Sequence, residues 1–232
     1  MHAILFGASC LVNTLLLRGY TATKLKNRFP DTITHLNRRQ YALAIKNVQK
    51  GVVLLTCIPI VVFALDEKYR GGVDDSDNPW IGLVAGAYVS QDAAALITIP
   101  EFLHPRTRYH HVIVCALWLV LVSGYMTGPF EGAIWLCSGA TPTGVVNIYL
   151  GLRHLSTPRE VRSMASMCFW FYLAVFCSTV IHQLLLLSEY GMNLASWIWL
   201  ITLSVVWYDD FFLLEHLQRA RTATHIDHPY RF

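Results

Sequence analysis

Seven apolar stretches, Ala3 to Leu17, Tyr41 to Leu65, Trp80 to Ile99, His110 to Tyr125, Gly132 to Leu150, Met164 to Ser188 and Leu194 to Leu214, occupy most of the 232 residues. Their lengths decide what the chain can become. A helix needs roughly 20 apolar residues (about 17 to 25) to cross the hydrocarbon core of a bilayer. Inside that core every backbone N–H and C=O must be satisfied by protein, and helices do this one segment at a time. The reading is an all-α polytopic membrane bundle of seven transmembrane helices. The first and fourth stretches are short and must borrow flanking residues or sit in thinned membrane. A hydrophobic share of 54% against 14% charged, with a mean hydropathy of +0.42, argues against an ordinary soluble domain.

The linkers between these stretches alternate in sign. Arg18 to Lys50, Arg106 with Arg108, Arg153 to Arg162 and Arg219 to Arg231 are basic, whereas Asp66 to Asp77, Glu131 and Glu189 are acidic. Of 18 Lys and Arg residues, only Lys68 and Arg70 fall in the acidic set. The positive-inside rule then places the N-terminus in the lumen or outside and the C-terminus in the cytosol, which an odd helix count satisfies. No long polar segment or internal repeat divides the chain, so residues 1–232 read as a single domain. The N-terminus lacks a basic n-region, so the first stretch is expected to be retained. The C-terminus shows no retrieval or prenylation signal, which leaves the compartment open, with the endoplasmic reticulum or another endomembrane as the expectation.

Several functions are disfavoured. No basic block is long or aromatic enough for nucleic-acid binding. The ten histidines form no HxxxH or HxxHH array of the kind that holds iron in membrane desaturases, and no metal is expected. No lysine follows Lys68, so a retinal Schiff base in the last helix is ruled out. Phosphate-binding loops, Gly-x-Ser-x-Gly elbows and dinucleotide fingerprints are missing. The six cysteines lie in apolar stretches without a CxxC and read as small buried hydrophobes. The Asp74-Asp75-Ser76-Asp77-Asn78 loop lacks EF-hand spacing and reads as a solvated turn.

Ionisable groups inside membrane segments are costly and usually face a protein-lined cavity where substrates or protons are handled. Asp92 sits within the third stretch, while His110 and His111 open the fourth. Pro100 to Tyr109 is a short connection, so these two helices are expected to be antiparallel neighbours whose polar groups meet in a lipid-sized cavity open to the cytosol. Adjacent residues on a helix point about 100° apart, so one histidine can do chemistry while the other supports it. Neutral imidazole is suited to a general base or a transient acyl acceptor. Tyr88, His104, Asn147 and His182 are further candidates for the cavity. Asp209 and Asp210 read as facing water or basic loops, and Lys46 and Lys50 as snorkelling toward lipid phosphates. Ser138 to Gly144 interrupts the fifth helix, as a cavity wall would allow.

The run Gly86-Ala87-Tyr88-Val89-Ser90-Gln91-Asp92, followed by Tyr109-His110-His111 opening an apolar helix, resembles the TLC domain found in TRAM-, LAG- and CLN-type proteins, a family that includes the ceramide synthases. Thr141-Pro142 and Asn147 echo it more loosely. Those enzymes transfer a fatty acyl group from acyl-CoA to the amine of a long-chain base, with a His-His pair in the active cavity. The resemblance implies catalytic roles for His110, His111 and Asp92, and acyl-CoA as co-substrate. Arg106 and Arg108 stand where they could meet its phosphates. His104 replaces the Asp found six residues before the pair, and Cys137-Ser138-Gly139-Ala140 replaces a later acidic cluster. Three functional classes stay open: lipid acyl transfer, a non-enzymatic lipid binder or membrane-composition regulator, and a proton-linked transporter or channel. Membrane lipid is the expected partner in the first two, and a homo-oligomer is allowed.

Overall fold

A computed structural model describes residues 2–71, 79–122 and 128–223. The Asp74-to-Asn78 turn, the Tyr125 end of the fourth stretch and the C-terminal tail lie outside the described residues. The fold is all-helical, with no strand among the described residues. In chain order the helices are α1 His2–Arg28, α2 Pro30–Thr34, α3 Arg38–Gly71, α4 Pro79–Thr98, α5 Pro105–Val122, α6 Gly132–Ala140, α7 Gly144–Leu152, α8 Pro158–Tyr190 and α9 Leu194–Thr222. Three of them are long and apolar enough to cross a membrane, over Arg38–Glu67, Pro158–Tyr190 and Leu194–Thr222.

Local chemistry explains where the helices start and stop. Asn37 and Gln40 exchange side-chain-to-backbone hydrogen bonds at the start of α3 (3.1 and 2.8 Å). Thr157 and Glu160 form the same reciprocal cap before α8, with Pro158 in the first turn, where its missing N–H removes nothing. Gly191 ends α8 at φ +69°, a conformation that L side chains rarely adopt, and Asn193 caps α9 by accepting from Ser196 N–H at 3.0 Å. Pro105 opens α5 as its position suggested.

Two features extend the sequence reading. The polar segment after Leu17 is mostly helical: α1 continues to Arg28, and Leu25, with Ala22, Phe29, Ile33 and Leu36 beside it, packs against Ile45 of α3 and Leu155. Apolar residues spaced through a basic segment supply that amphipathic face. The fifth stretch is two short helices, α6 and α7, separated by a 3-10 turn at Thr141–Thr143. There Pro142 supplies no N–H to the ladder.

The helices pack around α4, which contacts α1, α3, α5 and α6. α3 and α7 approach closely because glycines face each other. A Cβ on Gly144 would lie 2.6 Å from the Gly51 carbonyl oxygen, and one on Gly151 would lie 2.9 Å from that of Ala44. Small residues at such crossings let helix backbones touch, the usual way membrane helices gain packing without a hydrophobic drive. α8 runs against α9, and their outer faces expose Trp170, Leu185, Trp197, Ile201 and Phe211. α5 leans on α4 and α9, whereas α6 leans on α4 and α8. Between α5 and α6 lies a cavity.

Candidate functional site

Two polar constellations flank the start of α5, one on each side of the histidine pair. On the α3 side, Asp92 of α4 is fully buried and its Oδ1 takes the ammonium of Lys50 at 2.5 Å. The same oxygen lies 3.2 Å from Nδ1 of His111. Tyr88, one helical turn from Asp92, lays its ring under the Lys50 ammonium at 4.3 Å from the centroid. A lysine this deep is held by both a carboxylate and an aromatic face, the two kinds of partner that offset its desolvation. Asp92 Oδ2 and both ring nitrogens of His111 make no hydrogen bond among the described residues.

On the cavity side, His110 points its Nδ1 toward Asp209 Oδ2 of α9 at 3.7 Å, longer than a hydrogen bond. Thr107 donates its hydroxyl to the other oxygen of Asp209 at 3.2 Å. Next along α9, Asp210 accepts a 2.5 Å hydrogen bond from the Tyr172 hydroxyl of α8. The two imidazoles are edge to face, with centroids 5.7 Å apart and planes at 80°. The divergence expected of neighbouring helical residues is thus realised: His110 lines the cavity, while His111 turns to the Lys50–Asp92 pair.

The cavity is bordered by α4, α5, α6, α8 and α9 and is partly open to the outside. Its lining changes character along its length. Near the start of α5 it is polar, with His110, Tyr88, Tyr172 and Asp210. Farther along, Leu117 of α5 faces it together with Ala133 and Leu136 of α6, and these three belong to the apolar cluster around Trp199 and Leu203. In the middle, Gly139 leaves room: a Cβ there would meet only Thr179 Oγ1, at 3.4 Å. Gly139, Ala140 and Thr143 make part of the wall, so the helix interruption does border the cavity.

Of the residues singled out from sequence, Asp92, His110, His111 and Tyr88 are brought together. The others go elsewhere. His104 is exposed, its Nδ1 accepting from Arg106 N–H at 3.4 Å in the α5 lead-in. Asn147 donates to Thr143 O one turn back, and neither it nor His182 lines the cavity. Arg106 stacks over Phe212 and Tyr208 of α9, at 3.4 and 5.2 Å from the centroids, and Arg108 Nε donates to Leu103 O at 3.2 Å. Lys50, Asp209, Asp210 and Tyr172 were not among the sequence candidates. The signal for Lys50 was Asp92 itself, because a buried carboxylate needs a cationic or hydrogen-bonding partner on another helix. Nothing in the spacing says which lysine it is.

Asp92, His110 and His111 also present ligand atoms within 4.8 Å of one another, a donor set able to chelate a divalent ion. Lys50 opposes that use, since its ammonium already supplies the positive charge at Asp92. Fold and site together define a helical protein with membrane-length helices, in which a buried charge cluster abuts a cavity polar at one end and apolar at the other. No family profile, curated protein or solved structure matches the chain.

Proposed function

We propose that this is a seven-span, TLC-like lipid-modifying membrane protein that transfers a fatty acyl group from acyl-CoA to the amine or hydroxyl of a membrane lipid. α1, α3, α4, α5, the broken α6–α7 unit, α8 and α9 are the seven spans, with the start of α5 toward the cytosol. The observation that carries the reading is the graded cavity. Its apolar length suits a hydrocarbon chain, and His110 stands at the polar end with Asp209 behind its Nδ1. A carboxylate behind Nδ1 favours the tautomer whose Nε2 is free to accept a proton, and such contacts often tighten only when substrate is present.

In this mechanism the acceptor amine or hydroxyl attacks the thioester carbonyl while its proton passes to Nε2 of His110. The C–S bond then breaks, and the CoA thiolate takes the proton back from the imidazolium. Acyl-CoA and acceptor lipid thereby become acylated lipid and free CoA thiol, with His110 regenerated. His111, Asp92 and Lys50 hold α5 in register with α3 and α4 rather than touching substrate. Stacking on Phe212 uses the faces of the Arg106 guanidinium, so its in-plane N–H donors stay oriented for the CoA phosphates, with Arg108 beside it.

The test is acyl transfer by purified protein supplied with acyl-CoA and candidate lipid amines and alcohols. His110→Ala is expected to remove product, and Asp209→Asn to lower the rate about 100-fold or more, as loss of acid–base assistance does. Product formation that survives His110→Ala would reject the mechanism. Intact lipid co-purifying with the protein, with no turnover of any acyl donor, would favour the lipid-binder reading instead.

A further inference from the structure

We infer that Trp199 and the residues it supports form a fixed end wall that sets the length of the acyl chain the cavity accepts, with Leu117 as the residue that measures it. The inference deepens the acyl-site reading given above and rests on it.

The wall stands behind the lining residues and is tied together by hydrogen bonds. Trp199 of α9 and Gln183 of α8 are both wholly buried. The indole Nε1–H donates to Gln183 Oε1 at 3.0 Å, and Gln183 Nε2–H donates to the Gly132 carbonyl at the start of α6, also at 3.0 Å. Phe130 packs edge-on against the indole, with centroids 5.7 Å apart. One relay of side-chain hydrogen bonds thus ties three helices at the same level. In an apolar interior each of these polar groups would be left unpaired and without water if its partner were pulled away, so the wall resists being pushed back by a longer chain. Ala133, Leu117 and Leu136 lie in front of it, at the apolar end of the cavity.

The distance from the reacting end is set by helix geometry. Leu117 is seven residues beyond His110 on α5, about 10 Å at ~1.5 Å rise per residue. A saturated chain whose C–C bonds of ~1.5 Å open at about 111° advances about 1.25 Å per carbon, so roughly eight carbons reach the level of Leu117, which packs against the wall. The specificity class is therefore medium-chain acyl donors rather than long-chain ones. Leu117 is half-buried, belongs to α5 and packs against the Trp199 cluster without taking part in the Trp199–Gln183–Gly132 hydrogen bonds.

Equilibrium binding of hexanoyl-, octanoyl-, decanoyl-, dodecanoyl- and palmitoyl-CoA to the full-length protein in lipid nanodiscs tests this without requiring turnover. Wild type is expected to bind octanoyl-CoA best and palmitoyl-CoA at least tenfold more weakly. Leu117→Ala should move the optimum toward decanoyl-CoA, and Leu117→Trp toward hexanoyl-CoA. Leu136→Ala, from the opposite helix, should lengthen the preferred chain as Leu117→Ala does and guards against a misfolded variant. An optimum that stays the same in all variants, with binding intact, would overturn the end wall while leaving the acyl site standing. No binding of any acyl-CoA by wild type would overturn the acyl site and the wall with it.

Discussion

Moving an ammonium and a carboxylate out of water costs several kcal/mol per ion, and Lys50 and Asp92 offset that cost only as long as each has the other. Lys50→Met strands a fully buried carboxylate and is expected to destabilise the fold by about 3–5 kcal/mol. The Lys50→Met/Asp92→Leu double variant, with both charges gone, should recover most of that loss. Thermal unfolding in detergent, read by helix content, makes the comparison; equal losses in single and double variants would mean the pair is not coupled. At this scale the sequence told much about Asp92 and little about Lys50. A carboxylate in the middle of an apolar stretch announces itself, whereas a lysine near the edge of one is equally at home reaching for lipid phosphates. Asp209 and Asp210 show the same ambiguity. Their place near the end of an apolar stretch suits solvent exposure, and only the packing of α9 against α5 and α8 turns them toward His110 and Tyr172.

Among the elements, the crossing of α3 and α7 is the tightest test of packing. Gly144→Val would drive a side chain against the Gly51 carbonyl, Leu54 and Leu55. Overpacking of this kind costs typically about 1–3 kcal/mol, and the expected result is a lower unfolding midpoint with the cavity residues unchanged. A midpoint equal to wild type would show that the two helices can part there without loss. The helices themselves were largely legible. Hydropathy located the apolar segments, three of which lie in helices of membrane-crossing length, Pro105 marked the start of α5, and the Gly and Pro residues after Ser138 marked the break between α6 and α7. The C-terminal part of α1 was not, because its basic residues mask an apolar face that pays off only when α3 and Leu155 are there to cover it.

For the whole molecule, the asymmetry of Lys and Arg between alternate linkers predicts one orientation in the membrane. Single cysteines added to an otherwise cysteine-free chain check it in sealed cells. A probe that cannot cross the membrane should label position 66 only from the lumenal or outer side, and position 159 only after the cytosolic side is opened. Labelling of both from the same side would break the seven-span arrangement. In that orientation the polar mouth of the cavity, at the start of α5, would face the cytosol, as the proposed acyl transfer requires.

The sequence by itself determined that this chain is helical, that it carries helices apolar enough to cross a membrane, and that Asp92 and the paired histidines are its unusual residues. Those conclusions depend on local quantities, namely hydropathy, periodicity and the cost of an ionisable group in an apolar segment. Tertiary structure alone decided which groups meet: Lys50 with Asp92, His110 with Asp209, Tyr172 with Asp210, and Trp199 with Gln183 behind the cavity. The physical reason is that spacing along one helix specifies the direction of a side chain relative to its own axis, whereas its partner depends on how separate helices are rotated and shifted against one another. That rotation follows from close contacts such as Gly51 against Gly144, which lie far apart in the chain and carry no local signature.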